Sequence, residues 1–270
     1  MGEEFLNVYG EIVQRRLHAK ATGDKSTADS LKIAVNGSFG KLGSKYSALY
    51  SPDLLIQTTV TGQLALIMLI ESVTNAGAEV VSANTDGIVV YCDSDRENDV
   101  EAAAFEWMLD TTYELERTDY RLIASRDVNN YVAVKPNGSI KGKGAFADPT
   151  MMKNPDAQIV YQAVSQYAID GTPVDQTIKQ CQDLRRFVTV RQVKGGAVWR
   201  DKILGKAVRW YLSRSVPEHE YIQYASNGNK VPRSDGAMPV MDMPDDFPGD
   251  IDYDAYILDA EKLLCEVGLV

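Results

Sequence analysis

Histidine and cysteine are scarce in this 270-residue chain, which has two of the first and three of the second. Cys92, Cys181 and Cys265 are far apart, odd in number and without a CxxC pair. Neither a zinc site nor a disulfide framework is therefore expected, and a reducing cytosol fits best. His18 and His219 are too distant in sequence to suggest a ligand pair and read as surface residues. Long hydrophobic runs are missing too: the longest, Leu64 to Ile70, is far too short to cross a bilayer. The acidic N-terminal stretch lacks the apolar core of a signal peptide. A soluble cytoplasmic protein with no membrane partner is expected, in the host cytoplasm if the source is viral. No internal repeat or low-complexity tract is present, which excludes a solenoid.

What is present suffices for a sizeable core. Hydrophobic residues make up 44% of the chain, enough for one large domain or two to three small ones. The net charge of −10 argues at first sight against nucleic acid, but the charge is unevenly placed. Arg15 to Lys45 holds seven basic residues against Asp24 and Asp29, and Arg185 to Arg214 holds nine against Asp201 alone. The acids gather from Asp93 to Asp119 and from Asp235 to Glu266. Two basic segments can offer a phosphate-binding face, or can be scattered solvated charge. The acidic tail has no assigned role.

Apolar spacing predicts a helix from about Glu3 to Lys20, a turn around Gly23, and a second helix capped by Ser26 and running toward Gly40. Ser51-Pro52-Asp53 opens a long third helix that Gly77 ends. A hairpin follows, Glu79 to Ala83 and Ile88 to Tyr91 around Asn84-Thr85-Asp86-Gly87, with β-branched arms that suit buried strands. Residues 98 to 117 read as an acidic amphipathic helix, and residues 120 to 147 as strands with a turn at Pro136-Asn137-Gly138. The remainder reads as mixed helix and loop.

Two constellations carry chemistry. Lys32, Asn36 and Phe39 project from one helical face. A cation, an amide and a ring on one stripe are unsuited to a core and suit a triphosphate, a sugar or base, and a stacked base pair. Arg16 and Lys20, one turn apart on the preceding helix, can grip phosphate oxygens, or can belong to a solvated basic helix. Asp86, in a tight turn between two strands, can ligate a hard cation such as Mg²⁺, or can be ordinary Asp-Gly turn chemistry. Farther on, basic and aromatic residues interleave from Val198 to Leu204, which suits backbone contact and stacking, although Trp199, Trp210 and Tyr211 can equally be core aromatics.

The order of these pieces resembles the C-terminal half of family B DNA polymerases, as in split phage or mobile-element enzymes. Lys32 to Gly40 reads K-x3-N-G-S-F-G against the family's K-x3-N-S-x-Y-G. Arg16, Ala19 and Lys20 match R-x2-A-K, and Asn84-Thr85-Asp86-Gly87 matches D-T-D-S in part. Asn129-Asn130-Tyr131 weakly matches K-x-Y, with Lys141 and Lys143 behind it. The resemblance covers about residues 10 to 150 and implies an α+β fold: a palm-like antiparallel sheet, a helical fingers hairpin and a mixed, mainly helical thumb. The implied divisions are 1–50 for fingers, 51–150 for the C-terminal palm, and 151–270 for the thumb and acidic tail.

By the same resemblance, Arg16, Lys20, Lys32, Asn36 and Phe39 bind the incoming deoxynucleoside triphosphate (dNTP). Gly40, Tyr131, Lys141 and Lys143 lie on the DNA side. Asp86 is the catalytic, metal-binding acid, supported by Asn84, Thr85 and Gly87. Nucleotidyl transfer to a primer 3′-hydroxyl uses two Mg²⁺ ions. Here Asn84 replaces the first acid of the turn, Asn129 stands where a primer-contacting lysine is expected, and the family's D-x2-S-L-Y-P segment is absent from these residues. The chain alone is therefore expected to be inactive. The implied partners are primer-template DNA, dNTP and an N-terminal polymerase subunit that brings the missing aspartate, shares both ions and could also carry an exonuclease. The alternative is a non-catalytic DNA-binding remnant or accessory protein of a replication complex.

Overall fold

A computed structural model describes residues 2–148 and 154–270 and divides the chain into two units, Met1–Leu115 and Glu116–Val270. In the first, α1 (Glu3–Ala21) and α2 (Lys25–Leu42) pack together across a short turn where Gly23 takes a φ of 76° that costs glycine little. The expected cap is corrected: Asp24, not Ser26, caps α2, its carboxylate accepting the Thr27 N–H at 3.0 Å. Hydrogen bonds from Thr27 hold that carboxyl below its ordinary range. A carboxylate also meets the positive end of the helix dipole, which a hydroxyl answers less well. α3 (Pro52–Asn75) begins with its proline as expected, although the Ser51 side chain makes no capping bond.

β1 (Glu79–Ala83) and β2 (Ile88–Tyr91) pair antiparallel, with Glu79 opposite Tyr91 and Ala83 opposite Ile88. They are not the buried strands expected. They form a two-stranded ribbon with no further strand on either edge among the described residues, and Val81 and Tyr91 are 62% and 61% exposed. Only Val80 and Ile88 reach the core, which is built from Ala65, Leu69 and Val73 of α3, Ala78, and Val100 and Trp107 of α4 (Glu97–Thr111). The Trp107 indole donates to the Ala65 carbonyl at 2.8 Å.

Leu64 to Ile70 lies within α3. Threonine and glutamine interrupt its apolar sequence without making it polar. Among the described residues it is the one helix that by length and composition could cross a membrane. Ala65, Leu69 and Val73 serve the unit's own core, while Ile56, Val60, Leu64, Ile67 and Met68 are exposed.

In the second unit, β3 (Leu122–Asp127), β4 (Asn130–Val134) and β5 (Ile140–Lys143) form an antiparallel sheet in that order. Ala124, Val132 and Val134 share a core with α5 (Gln158–Asp170), α6 (Val174–Gln180) and α7 (Tyr253–Glu266). The division between the units falls at Leu115/Glu116, within the 51–150 segment. The expected boundary at 150/151 lies outside the described residues.

The C-terminal segment read as helix and loop contains a long hairpin, β6 (Thr189–Trp199) and β7 (Lys202–Leu212). With β8 (Gln223–Tyr224) and β9 (Ala237–Pro239) it makes a four-stranded antiparallel sheet of order β8-β6-β7-β9. One face covers a second core of Val193, Ala197, Trp199, Leu204, Val208 and Trp210 with the segment from Val216 to Ala237. Leu212 and Met238 pack against both cores. Trp199, Trp210 and Tyr211 are buried, which decides for the core reading of these aromatics. The architecture is α+β with antiparallel sheets.

Two polar anchors hold the C-terminal part. The Tyr256 hydroxyl donates to the Phe187 carbonyl and accepts the Leu212 N–H, both at 2.8 Å. The Asp250 carboxylate accepts hydroxyls from Tyr211 at 2.9 Å and from Ser213 and Ser215 at 2.6 Å each. Burial opposes its ionisation, but the three hydroxyls prevail and hold its carboxyl below the ordinary range. A carboxyl lowered in the folded state stabilises above its unfolded pKa, and that stabilisation is lost as the pH falls through the folded value. Asp250→Asn is therefore expected to flatten the acid limb of stability below about pH 4 in urea titrations. Superimposable acid limbs for wild type and variant would contradict this account.

Candidate functional site

The Asp86 turn is locked by its own backbone. Asn84 N–H donates to the Gly87 carbonyl at 2.9 Å, and Asp86 N–H donates to Asn84 Oδ1 at 3.0 Å. The amide oxygen of Asn84 therefore faces into the turn and is engaged there. Thr85 and Asp86 are exposed. The Asp86 carboxylate makes no hydrogen bond or ion pair among the described residues, so it is available to an outside group. Those residues include no set of three His, Cys, Asp or Glu side chains placed to hold a metal ion. One carboxylate beside an occupied amide does not by itself fit a two-ion site, because Mg²⁺ needs several oxygen ligands.

The helical hairpin in the same unit displays the other predicted residues on its surface. Arg16 is half-buried on α1, and Lys20 is exposed. On α2, Lys32, Asn36 and Phe39 are exposed, and the space beside Gly40 is open. Their spacing keeps the first three on one side of the helix. No core contact accounts for a phenylalanine ring 40% exposed beside a lysine and an amide.

The sheet β3–β5 brings together Tyr131, Lys141 and Lys143, which together span 12 positions of sequence. Register sets Tyr131 opposite Lys143, and the Lys143 ammonium lies 5.8 Å from the Tyr131 ring centroid. Lys143 Nζ also donates to the Val128 carbonyl at 3.4 Å. Lys141 Nζ reaches the Tyr120 hydroxyl at 3.5 Å. Burial pulls the Lys141 pKa down, but the Tyr131 and Tyr120 hydroxyls outweigh it and raise the pKa overall. Lys141 therefore keeps its charge at neutral pH. Tyr120 was missed from the sequence, and only the register of β4 against β5 could have pointed to it. Asn129, at the expected lysine position, donates its N–H to Asp127 Oδ1 at 2.9 Å and serves the β3–β4 turn.

A cleft of about 210 Å³ lies between β6, β7 and α7, lined by Thr189, Trp210, Arg233 and Asp259 among others. Arg233 bridges Asp156 at 3.1 Å and Asp259 at 3.0 Å, and Arg191 approaches Asp156 at 3.6 Å. These charges satisfy one another, so the cleft reads as an internal tie. Neither a protein-family model nor a curated protein matches the chain.

Proposed function

We propose that the chain is the fingers, C-terminal palm and thumb portion of a DNA polymerase resembling family B. It would transfer nucleotides from dNTP to a primer 3′-hydroxyl once completed by a polypeptide that brings a second carboxylate. The observation that carries the reading is the Asp86 turn: a carboxylate left without partners on a hydrogen-bonded loop, at the end of a ribbon with open edges. An apolar two-stranded ribbon is marginal alone and calls for a neighbouring strand. Within the same unit, the exposed Lys32–Asn36–Phe39 stripe supplies a cation for the triphosphate and a ring for the base pair. Arg16 and Lys20 stand on the packed helix next to it.

Two Mg²⁺ ions belong to the completed assembly, with Asp86 as this chain's contribution to holding them. The residues present do the positioning: the turn fixes Asp86, and the helix pair orients the nucleotide. The second reading, a non-catalytic DNA-binding accessory protein, is favoured by one observation. Asn84, in place of an acid, is spent on the turn.

The test is primer extension by the full chain mixed with an N-terminal polymerase polypeptide, primed template, dNTP and Mg²⁺. Lys32→Ala is expected to raise the nucleotide KM by about 10- to 100-fold, the equivalent of one charged hydrogen bond. Duplex affinity by fluorescence anisotropy should stay within about twofold. An unchanged KM with lost DNA affinity would move Lys32 to the duplex. Failure of every such mixture to extend primer would leave the accessory reading.

A further inference from the structure

We propose that the outward face of α4 docks a basic amphipathic helix of a partner protein, seated along Ala102, Phe105 and Leu109. This helix is apolar on two sides. Val100 and Trp107 turn into the core of the first unit, with Ala104 and Met108 packed against it. At about 100° per residue, Ala102, Phe105 and Leu109 fall roughly opposite that face. Phe105 is 56% exposed and Leu109 65%, and Ala102 is exposed beside them. A solvated helix face is better served by glutamate, lysine or glutamine, so a phenylalanine and a leucine one turn apart point to a cover.

Spacing and charge select the occupant. Ala102, Phe105 and Leu109 follow one another at intervals of three and four residues, the seam spacing of a two-helix coiled coil. Beside a seam so placed stand Asp99, Glu101 and Glu106, all exposed, in the positions that set partner choice. Asp99 is held by Arg96 at 3.4 Å, whereas Glu106 forms no ion pair among the described residues. From Glu97 to Glu116 the sequence has seven acids and no lysine, arginine or histidine. Such a face repels phosphate and anionic lipid headgroups, and a second α4 would set acid against acid. A helix with leucine along its seam and lysine or arginine beside it complements both the stripe and its flanks. α4 is already folded against its own core, so only the incoming helix has to be ordered on binding.

Two fluorescein-labelled synthetic helices with leucine seams, one flanked by lysine and the other by glutamate, test this by anisotropy with the full chain. The lysine helix should bind, and the glutamate helix should bind about tenfold or more weakly. F105Q/L109Q changes only exposed side chains. It should weaken the lysine helix on the order of 100-fold, with urea unfolding near that of wild type. E106K should narrow the preference for lysine over glutamate about fivefold to tenfold. V60Q/L64Q, on the exposed apolar side of α3, should bind like wild type. The proposal is overturned if the lysine helix fails to bind, if both helices bind alike, or if F105Q/L109Q binds like wild type. It is also overturned if V60Q/L64Q abolishes binding. Dimers in sedimentation velocity that F105Q/L109Q dissolves would give the face to a second copy. Flotation with phosphatidylglycerol vesicles that needs the same two residues would give it to a lipid surface, and either result overturns the partner helix. No primer or dNTP enters any arm, so a failed extension assay would overturn the polymerase reading and leave this surface assigned.

Discussion

Asp86→Asn is expected to lower primer extension by the completed enzyme by on the order of 10²- to 10³-fold or more, with the fold and duplex affinity kept. The turn explains why the substitution isolates charge. Its geometry depends on the Asn84 N–H to Gly87 bond and on the Asp86 backbone N–H to Asn84 Oδ1 bond, neither of which uses the Asp86 side chain. An amide of the same size leaves both in place and removes only the negative charge. Single-turnover extension gives the chemical rate, and anisotropy on the same samples gives the affinity. Normal extension by the variant would take Asp86 out of the chemistry altogether. Asn84→Ala should behave differently, loosening the loop by removing the acceptor for the Asp86 N–H.

Tyr256→Phe should be the costliest single-oxygen deletion in the second unit. Tyr256 is 1% exposed, and burial raises the pKa of its phenol, which stays neutral and able to donate. Its hydroxyl is the partner of both the Phe187 carbonyl and the Leu212 N–H. Phenylalanine would fill the ring's place and leave both backbone groups without a partner, at about 1–3 kcal/mol each. A total loss of roughly 2–5 kcal/mol is expected in urea unfolding. A loss below about 1 kcal/mol would mean that the two groups find other partners.

The parts of the fold legible in sequence are those where local rules and packing agree. Glycine at residue 23, Ser51-Pro52-Asp53 and the apolar arms around Asn84–Gly87 each specify one local conformation, and the elements follow them closely. The Ser26 cap was misplaced because Asp24 and Ser26 both offer a helix-start oxygen, and the spacing rule does not rank them. The β6–β7 hairpin was hidden because Gly195, Gly196 and Gly205 break its alternation and charged residues interrupt its apolar face. Burial of β1 and β2 was misjudged because strand composition reports a tendency to pack and not the presence of something to pack against. Among the candidate site residues, Lys32, Asn36 and Phe39 could be grouped from one helix, since 3.6 residues per turn fixes their face. Tyr120 could not be joined to Tyr131, Lys141 and Lys143, because strand register, a nonlocal property, brings them together.

Leu212 and Met238 lie against both hydrophobic clusters of the second unit. A strand wedged between two cores cannot peel away while either stays closed, so the inner end of β7 opens only with the cooperative loss of the whole unit. The cationic hairpin therefore projects from a stiff root. Whatever presses on its far end transmits force to α7 and to the β8-to-β9 segment together, and does not bend a hinge.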